Sequence, residues 1–190
     1  MSEFNLHEYC LDVAQKAKKA SRALAAVSGE QKNKWLNVCA DKLVERKDEI
    51  LAENAKDLQA AREAGLKASM IDRLTLSEKT LAEMAKALRE IAAFPDPIGT
   101  TIGSTIRPNG LEVQKVRAPI GVVFFTYESR PNVTTDAAAI CVKSGNAVVL
   151  RGGKEAFHSN VVLGKVLADA AREVVIPEHA ALLLETTDRD

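Results

Sequence analysis

The chain has 190 residues, of which 46% are hydrophobic and only 4% aromatic. That length suits one ordinary domain or a large share of a bigger one, with a core of Ala, Val and Leu, and it excludes a short peptide or a disordered tail. Lys plus Arg total 26 and Asp plus Glu total 26, so the formal charge is zero and no basic field is available for a nucleic-acid partner.

The first dozen residues carry Glu3, Glu8 and Asp12, with neither a basic start nor a long apolar run, which argues against a signal peptide and a membrane span nearby. A soluble cytoplasmic protein is expected. From Phe4 to Phe94 the pattern is helical. Leu6, Tyr9, Cys10, Val13, Ala17, Ala20 and Leu24 recur at the helical period, and Lys16, Lys18, Lys19 and Arg22 form the wet face. Ser28 and Gln31 read as a capping box for a second helix with the stripe Trp35, Leu36, Cys39, Ala40 and Leu43. A third helix is expected from Asp48 to Gly65, followed by a short segment containing Met70, Ile71 and Leu74. Ser77 is a good N-cap for the stripe Leu81, Met84, Ala85, Leu88, Ile91 and Ala92, which Pro95 and Pro97 then stop.

Beyond that point Gly99, Gly103 and the pair Asn109-Gly110 interrupt a β-rich stretch. Asn-Gly is the strongest short hairpin signal, and it predicts a two-stranded ribbon over 104–108 and 111–117. Residues 120–127 are almost continuously apolar, the pattern of a strand covered on both faces. A helix over 132–144 closed by Gly145, a strand over 147–150, a Gly152-Gly153 turn, a helix over 156–174 and a strand over 181–185 complete a β-α-β-α-β order. That order implies a parallel sheet with right-handed crossovers, whose ligands gather at the carboxyl ends of the strands, here 127–132, 151–154 and 186–190. The expected fold class is α/β: a helical N-terminal segment over 1–98, a β-ribbon over 99–117, and the first half of a doubly wound parallel-sheet domain over 118–190.

Two of those carboxyl ends carry chemistry. In the loop Tyr127-Glu128-Ser129-Arg130-Pro131-Asn132, Pro131 at an early helix position followed by free amides would make an anion-binding helix N-terminus, and Arg130 would offer a planar fork to a carboxylate or phosphate. The same residues also suit an ordinary polar connection. Arg151-Gly152-Gly153-Lys154 combines two glycines that admit a close ligand with two cations for phosphate or ribose groups. It equally suits a tight turn with solvated charges, because neither the GxGxxG nor the GxxxxGKS/T pattern is present. Cys10 and Cys39 lie on apolar stripes and Cys141 lies within an apolar run over 137–142, so all three are expected to be buried small hydrophobes with reduced thiols. His7, His158 and His179 lack metal-ligand spacing, no metal is expected, and Ser129 lacks a nucleophile-elbow context.

The stretch 118–160, APIGVVFFTYESRPNVTTDAAAICVKSGNAVVLRGGKEAFHSN, resembles the gamma-glutamyl phosphate reductases, or glutamate-5-semialdehyde dehydrogenases, of proline biosynthesis. Two blocks carry the resemblance: YESRPNVT with Asp136, and KSGNAVVLRGGKEAFHSN. The second is similar to the Gly-Asn-Thr/Ala-Val-Val-Leu/Ile-Lys block of the wider aldehyde dehydrogenase superfamily, with Arg151 and Gly152 where that superfamily has Lys-Pro. YESRPN replaces the superfamily's Pro-Trp-Asn-Phe segment, which points to the reductase branch. ENAKDLQAAREAGL, MIDRLTL and LETTDRD extend the likeness over nearly the whole chain.

The resemblance implies an NAD(P)-binding domain of aldehyde dehydrogenase type with NADPH as cofactor. Arg151, Gly152, Gly153 and Lys154 would lie along its adenosine side. Ser129, Arg130 and Asn132 would lie near the nicotinamide and the substrate, L-glutamyl 5-phosphate. The ribbon resembles the superfamily's oligomerisation arm, which implies a homo-oligomeric parent. These reductases are longer than this chain, so it is expected to be their amino-terminal part, inactive alone, with the nucleophilic cysteine in the remainder and no catalytic residue in this part. A non-catalytic cofactor-binding or interaction module and a structural helical scaffold are the other readings the sequence leaves open.

Overall fold

The computed structural model describes residues 5–186. Phe4 and residues 187–190, which carry most of the third expected carboxyl end, lie outside the described residues. The helical segment consists of α1 (Leu6–Leu24), α2 (Gly29–Glu45), α3 (Lys47–Glu63), α4 (Ala68–Leu74) and α5 (Glu78–Ala93). The expected caps are in place: the Ser28 hydroxyl accepts from the Gln31 amide while the Gln31 side chain accepts from the Ser28 amide, and Ser77 accepts from Thr80. The short segment around Ile71 is itself a helix, α4. Trp35, Leu36, Cys39 and Leu43 of α2 are buried with Leu81, Met84, Ala85 and Leu88 of α5 in one cluster that continues into the sheet domain.

The ribbon pairs β1 (Thr101–Ile106) with β2 (Glu112–Val116), antiparallel, from Ile106 opposite Glu112 to Thr101 opposite Val116. It starts earlier than the expected 104 because Gly103, which reads as a breaker, pairs with Lys115, and the register shifts between Thr101 and Gly103, leaving Ile102 as the extra residue. Every ribbon residue is exposed.

The sheet domain follows as β3 (Val122–Thr126), α6 (Val133–Lys143), β4 (Ala147–Arg151), a 3-10 turn (Lys154–Ala156), α7 (Phe157–Val174) and β5 (Ala181–Leu183). The strands are parallel in the order β3-β4-β5. Side chains alternate across a strand. Val148 and Leu150 of β4 therefore enter the cluster with α6 and α7, while the equally buried Ala147 and Val149 face the other way, where α1 packs against β4.

The fold corrects two sequence expectations. β3 is not covered on both faces: Val122, Phe124 and Phe125 are exposed, Phe124 at 62%. Among the described residues β3 pairs with β4 alone and forms the sheet edge, and only Val123 and neighbouring Tyr127 reach the core cluster. Cys10 is exposed rather than buried, because the apolar stripe of α1 is buried only from Ala17 onward.

Polar contacts lock the two halves together. The Trp35 indole donates to the Leu167 carbonyl at 3.2 Å, and Arg46 meets Asp169 at 2.9 Å. Buried Lys143, at the end of α6, donates to the carbonyls of Ala92 and Phe94 and to the Asn33 side chain, satisfying the end of α5. Burial pushes its ammonium below the usual lysine range, against the opposing charge of Asp96. No helix among the described residues is long and apolar enough to cross a membrane.

Candidate functional site

Parallel pairing sets Thr126 opposite Arg151, and the Tyr127 amide donates to the Arg151 carbonyl at 3.1 Å. The loops after β3 and β4, separate in sequence, therefore leave the sheet side by side. A side-chain contact joins them. The amide and the hydroxyl of Ser129 both donate to Oε1 of Glu155, at 2.7 and 2.9 Å. Ser129 is buried and has φ +50°, a left-handed conformation uncommon outside glycine.

The glycine pair explains how the carboxylate reaches that position. A Cβ on Gly153 would lie 2.3 Å from Oε1 of Glu155, and one on Gly152 would lie 2.1 Å from Nδ2 of Asn160. The space these glycines leave is filled by the protein's own side chains. Asn160 belongs to a chain of hydrogen bonds. Its Oδ1 accepts from Thr134 at 3.0 Å; Thr134 has a single hydroxyl proton, so in the 2.6 Å contact with Tyr127 the phenol is the donor. Burial pushes the Tyr127 phenol up to about 12.

The N-termini of the two crossover helices are both occupied. Asp57 of α3 accepts from the His158 and Ser159 amides, at 3.1 and 2.8 Å, and from the Ser159 hydroxyl at 2.6 Å. This carboxylate takes the place an anion would have at α7. Asn54 supports it, donating to the Ser159 hydroxyl and the Leu74 carbonyl and accepting from the Leu76 amide. At α6 the expected anion-binding terminus is corrected: Pro131 precedes the helix, and the amides of Val133, Thr134 and Thr135 turn back to the carbonyls of Arg130, Pro131 and Asn132. Asn132 makes no side-chain capping hydrogen bond; its side-chain amide donates to Asp136 at 3.0 Å. Burial raises the Asp136 carboxyl above its usual range, and the Asn132 hydrogen bond opposes that.

Of the remaining expected site residues, Arg130 and Lys154 are exposed and Arg151 is half-buried. A cavity of about 440 Å³ opens between α3 and the turn into α7, lined by Ala60, Leu66 and Phe157 with Lys154, Glu155 and His158 among its polar groups. Cys39 and Cys141 are buried, and burial pushes both thiols up, away from the thiolate that a nucleophile requires.

Glu155 and Asp57 are absent from the sequence-based site. Asp57 was legible: Ile50, Asn54, Asp57 and Ala61 are the buried positions of α3, a helical stripe in which two polar residues mark a buried polar contact. Glu155 carries no such signal beyond following Gly-Gly-Lys.

The model of the aldehyde dehydrogenase family matches residues 7–190. The chain belongs to the aldehyde dehydrogenase family. Within that family it is 53% identical over 180 residues to the gamma-glutamyl phosphate reductase of Carboxydothermus hydrogenoformans, which covers 95% of this chain and 43% of that protein. The crystal structure of gamma-glutamyl phosphate reductase from Thermotoga maritima aligns with a TM-score of 0.90 at 41% identity, over 94% of this chain and 43% of that one. The reductase from Saccharomyces cerevisiae aligns with a TM-score of 0.88 at 31% identity, over 93% and 46%. A probable aldehyde dehydrogenase from Listeria monocytogenes, 18% identical with a TM-score of 0.70, shares the fold. This member of the family thus spans less than half the length of these relatives.

Proposed function

We propose that the chain supplies the cofactor and substrate loops of an NADPH-dependent reductase. The reaction would convert L-glutamyl 5-phosphate to L-glutamate 5-semialdehyde and phosphate, in proline biosynthesis and in the cytoplasm. The observation that carries this reading is the likeness, along nearly the whole chain, to gamma-glutamyl phosphate reductases, which the adjacency of the YESRPN and RGGK loops supports.

The donor set at the carboxyl end of β4 fits a phosphorylated dinucleotide. Lys154 offers an exposed ammonium and Arg151 a guanidinium to phosphate. Asp57 already neutralises the end of α7, so phosphate recognition falls to these cations and not to a helix dipole. NADPH supplies a hydride when bound. On the neighbouring loop, exposed Arg130 matches the carboxylate or phosphate of the substrate, and Asn132 orients its acyl group. The attacking thiolate is assigned to a part of the full-length protein outside residues 1–190, with phosphate as the leaving group. The exposed apolar residues of the ribbon, Ile102, Ile106, Val113 and Val116, support its role as an arm between copies in a homo-oligomer.

The test is a full-length protein carrying this chain, supplied with L-glutamyl 5-phosphate and NADPH. One phosphate released per NADPH oxidised is expected, and Arg130→Ala or Asn132→Ala should lower turnover about tenfold or more. Absence of NADPH oxidation would overturn the reading.

A further inference from the structure

Ser129 lies on the loop assigned to the substrate, yet its hydrogen-bonding groups point into the protein. It is 7% exposed, and both its amide and its hydroxyl are spent on one oxygen of Glu155. Glu155 comes from the other loop, next to Lys154. Gly153 lies directly beneath the carboxylate, where any side chain would displace it. Three residues from two loops thus form one contact, and that contact holds Ser129 at φ +50°, immediately before Arg130.

We propose that Glu155 is a positioning residue: a latch that fixes the substrate loop to the cofactor loop through Ser129 and so sets where Arg130 stands. The kinetic part of this inference rests on the proposed function. A neutral serine amide and hydroxyl converging on a carboxylate form charge-assisted hydrogen bonds, stronger than neutral ones, and a left-handed serine needs such a restraint to persist. With the latch gone the loop relaxes, and the geometry of the Arg130 fork is lost with it. The cations of the cofactor loop keep their own positions on β4 and the following turn.

The test compares Glu155→Ala, Glu155→Gln, Ser129→Ala and the Ser129→Ala/Glu155→Ala double variant in a full-length protein carrying this chain. Glu155→Ala should raise KM for L-glutamyl 5-phosphate about tenfold and Ser129→Ala about threefold, with the double variant no worse than Glu155→Ala, because the two side chains act as one unit. Glu155→Gln, which keeps an acceptor oxygen, should fall between wild type and Glu155→Ala. NADPH affinity, read by fluorescence titration, should stay within about twofold throughout. Additive effects in the double variant, or a loss of NADPH affinity in Glu155→Ala with KM unchanged, would overturn the latch. Amide exchange at Ser129 in the 190-residue chain judges the contact independently of catalysis: faster exchange in Glu155→Ala supports it and unchanged exchange refutes it. A wild-type protein that does not turn over glutamyl phosphate would remove the functional reading while leaving this second readout to decide the latch.

Discussion

β3 and β4 are neighbours in one sheet with almost the same character, VVFFT against AVVLR, yet their surroundings are opposite. Four of the five β4 residues are buried, whereas four of the five β3 residues are exposed. β4 has a strand on each side, α6 and α7 on one face and α1 on the other. Among the described residues β3 has one partner strand and little cover. An apolar run therefore reports what a strand can bury, and the neighbours present decide what it does bury. The ribbon repeats the lesson: its apolar residues Ile102, Ile106, Val113 and Val116 are all exposed.

The largest effect expected from this contrast is on stability. Leu150→Ala in β4 should cost about 3 kcal/mol in denaturant unfolding of the 190-residue chain, the usual magnitude for a fully buried leucine. Phe124→Ala in β3 should cost less than about 1 kcal/mol, as for an exposed site. Equal losses would break the comparison.

Asp57→Ala should cost about 2 kcal/mol, because it removes an interelement cap and leaves the amides of His158 and Ser159 without their acceptor. The same unfolding series measures it, and a loss comparable to that of Phe124→Ala would show the cap to be incidental.

A smaller effect concerns Asp96, on the segment joining the helices to the ribbon. Burial pushes its carboxyl up, but the Lys32 hydrogen bond, the Ile98 amide and the charges of Lys32 and Lys143 outweigh that and hold it below the usual range. A carboxyl lowered in the folded state contributes stability that is present above its unfolded value, about 3.9, and is lost as pH falls through the folded value. The stability gap between wild type and Asp96→Asn should therefore be open at pH 7 and narrow by pH 3; a gap independent of pH would contradict the ion pair's role. The mildest probe is a thiol reagent, which should label Cys10 in the native chain and reach Cys39 and Cys141 only on unfolding.

The helices and strand order were legible because each has a local cause: the Ser28 and Ser77 caps, the stripe through Trp35 and Leu43, and the Asn109-Gly110 turn. The exposure of β3 and of Cys10 was not legible, since it depends on which elements lie against them and no local pattern encodes that. At the candidate site, the placement of Arg130, Arg151 and Lys154 at strand ends followed from the β-α-β order. The junction of the two loops did not, because it rests on a 26-residue separation between Ser129 and Glu155 and on a serine in a glycine-like conformation. No local pattern shows that the Asn160 and Glu155 side chains pack against Gly152 and Gly153.

Hydrogen exchange of a full-length protein carrying this chain, with and without NADPH, tests most directly whether the joined loops are where the cofactor is bound. Protection is expected at residues 151–155, extending to 128–132, with none in the ribbon over 101–116. Protection elsewhere in the protein, with both loops exchanging as in the absence of NADPH, would contradict it.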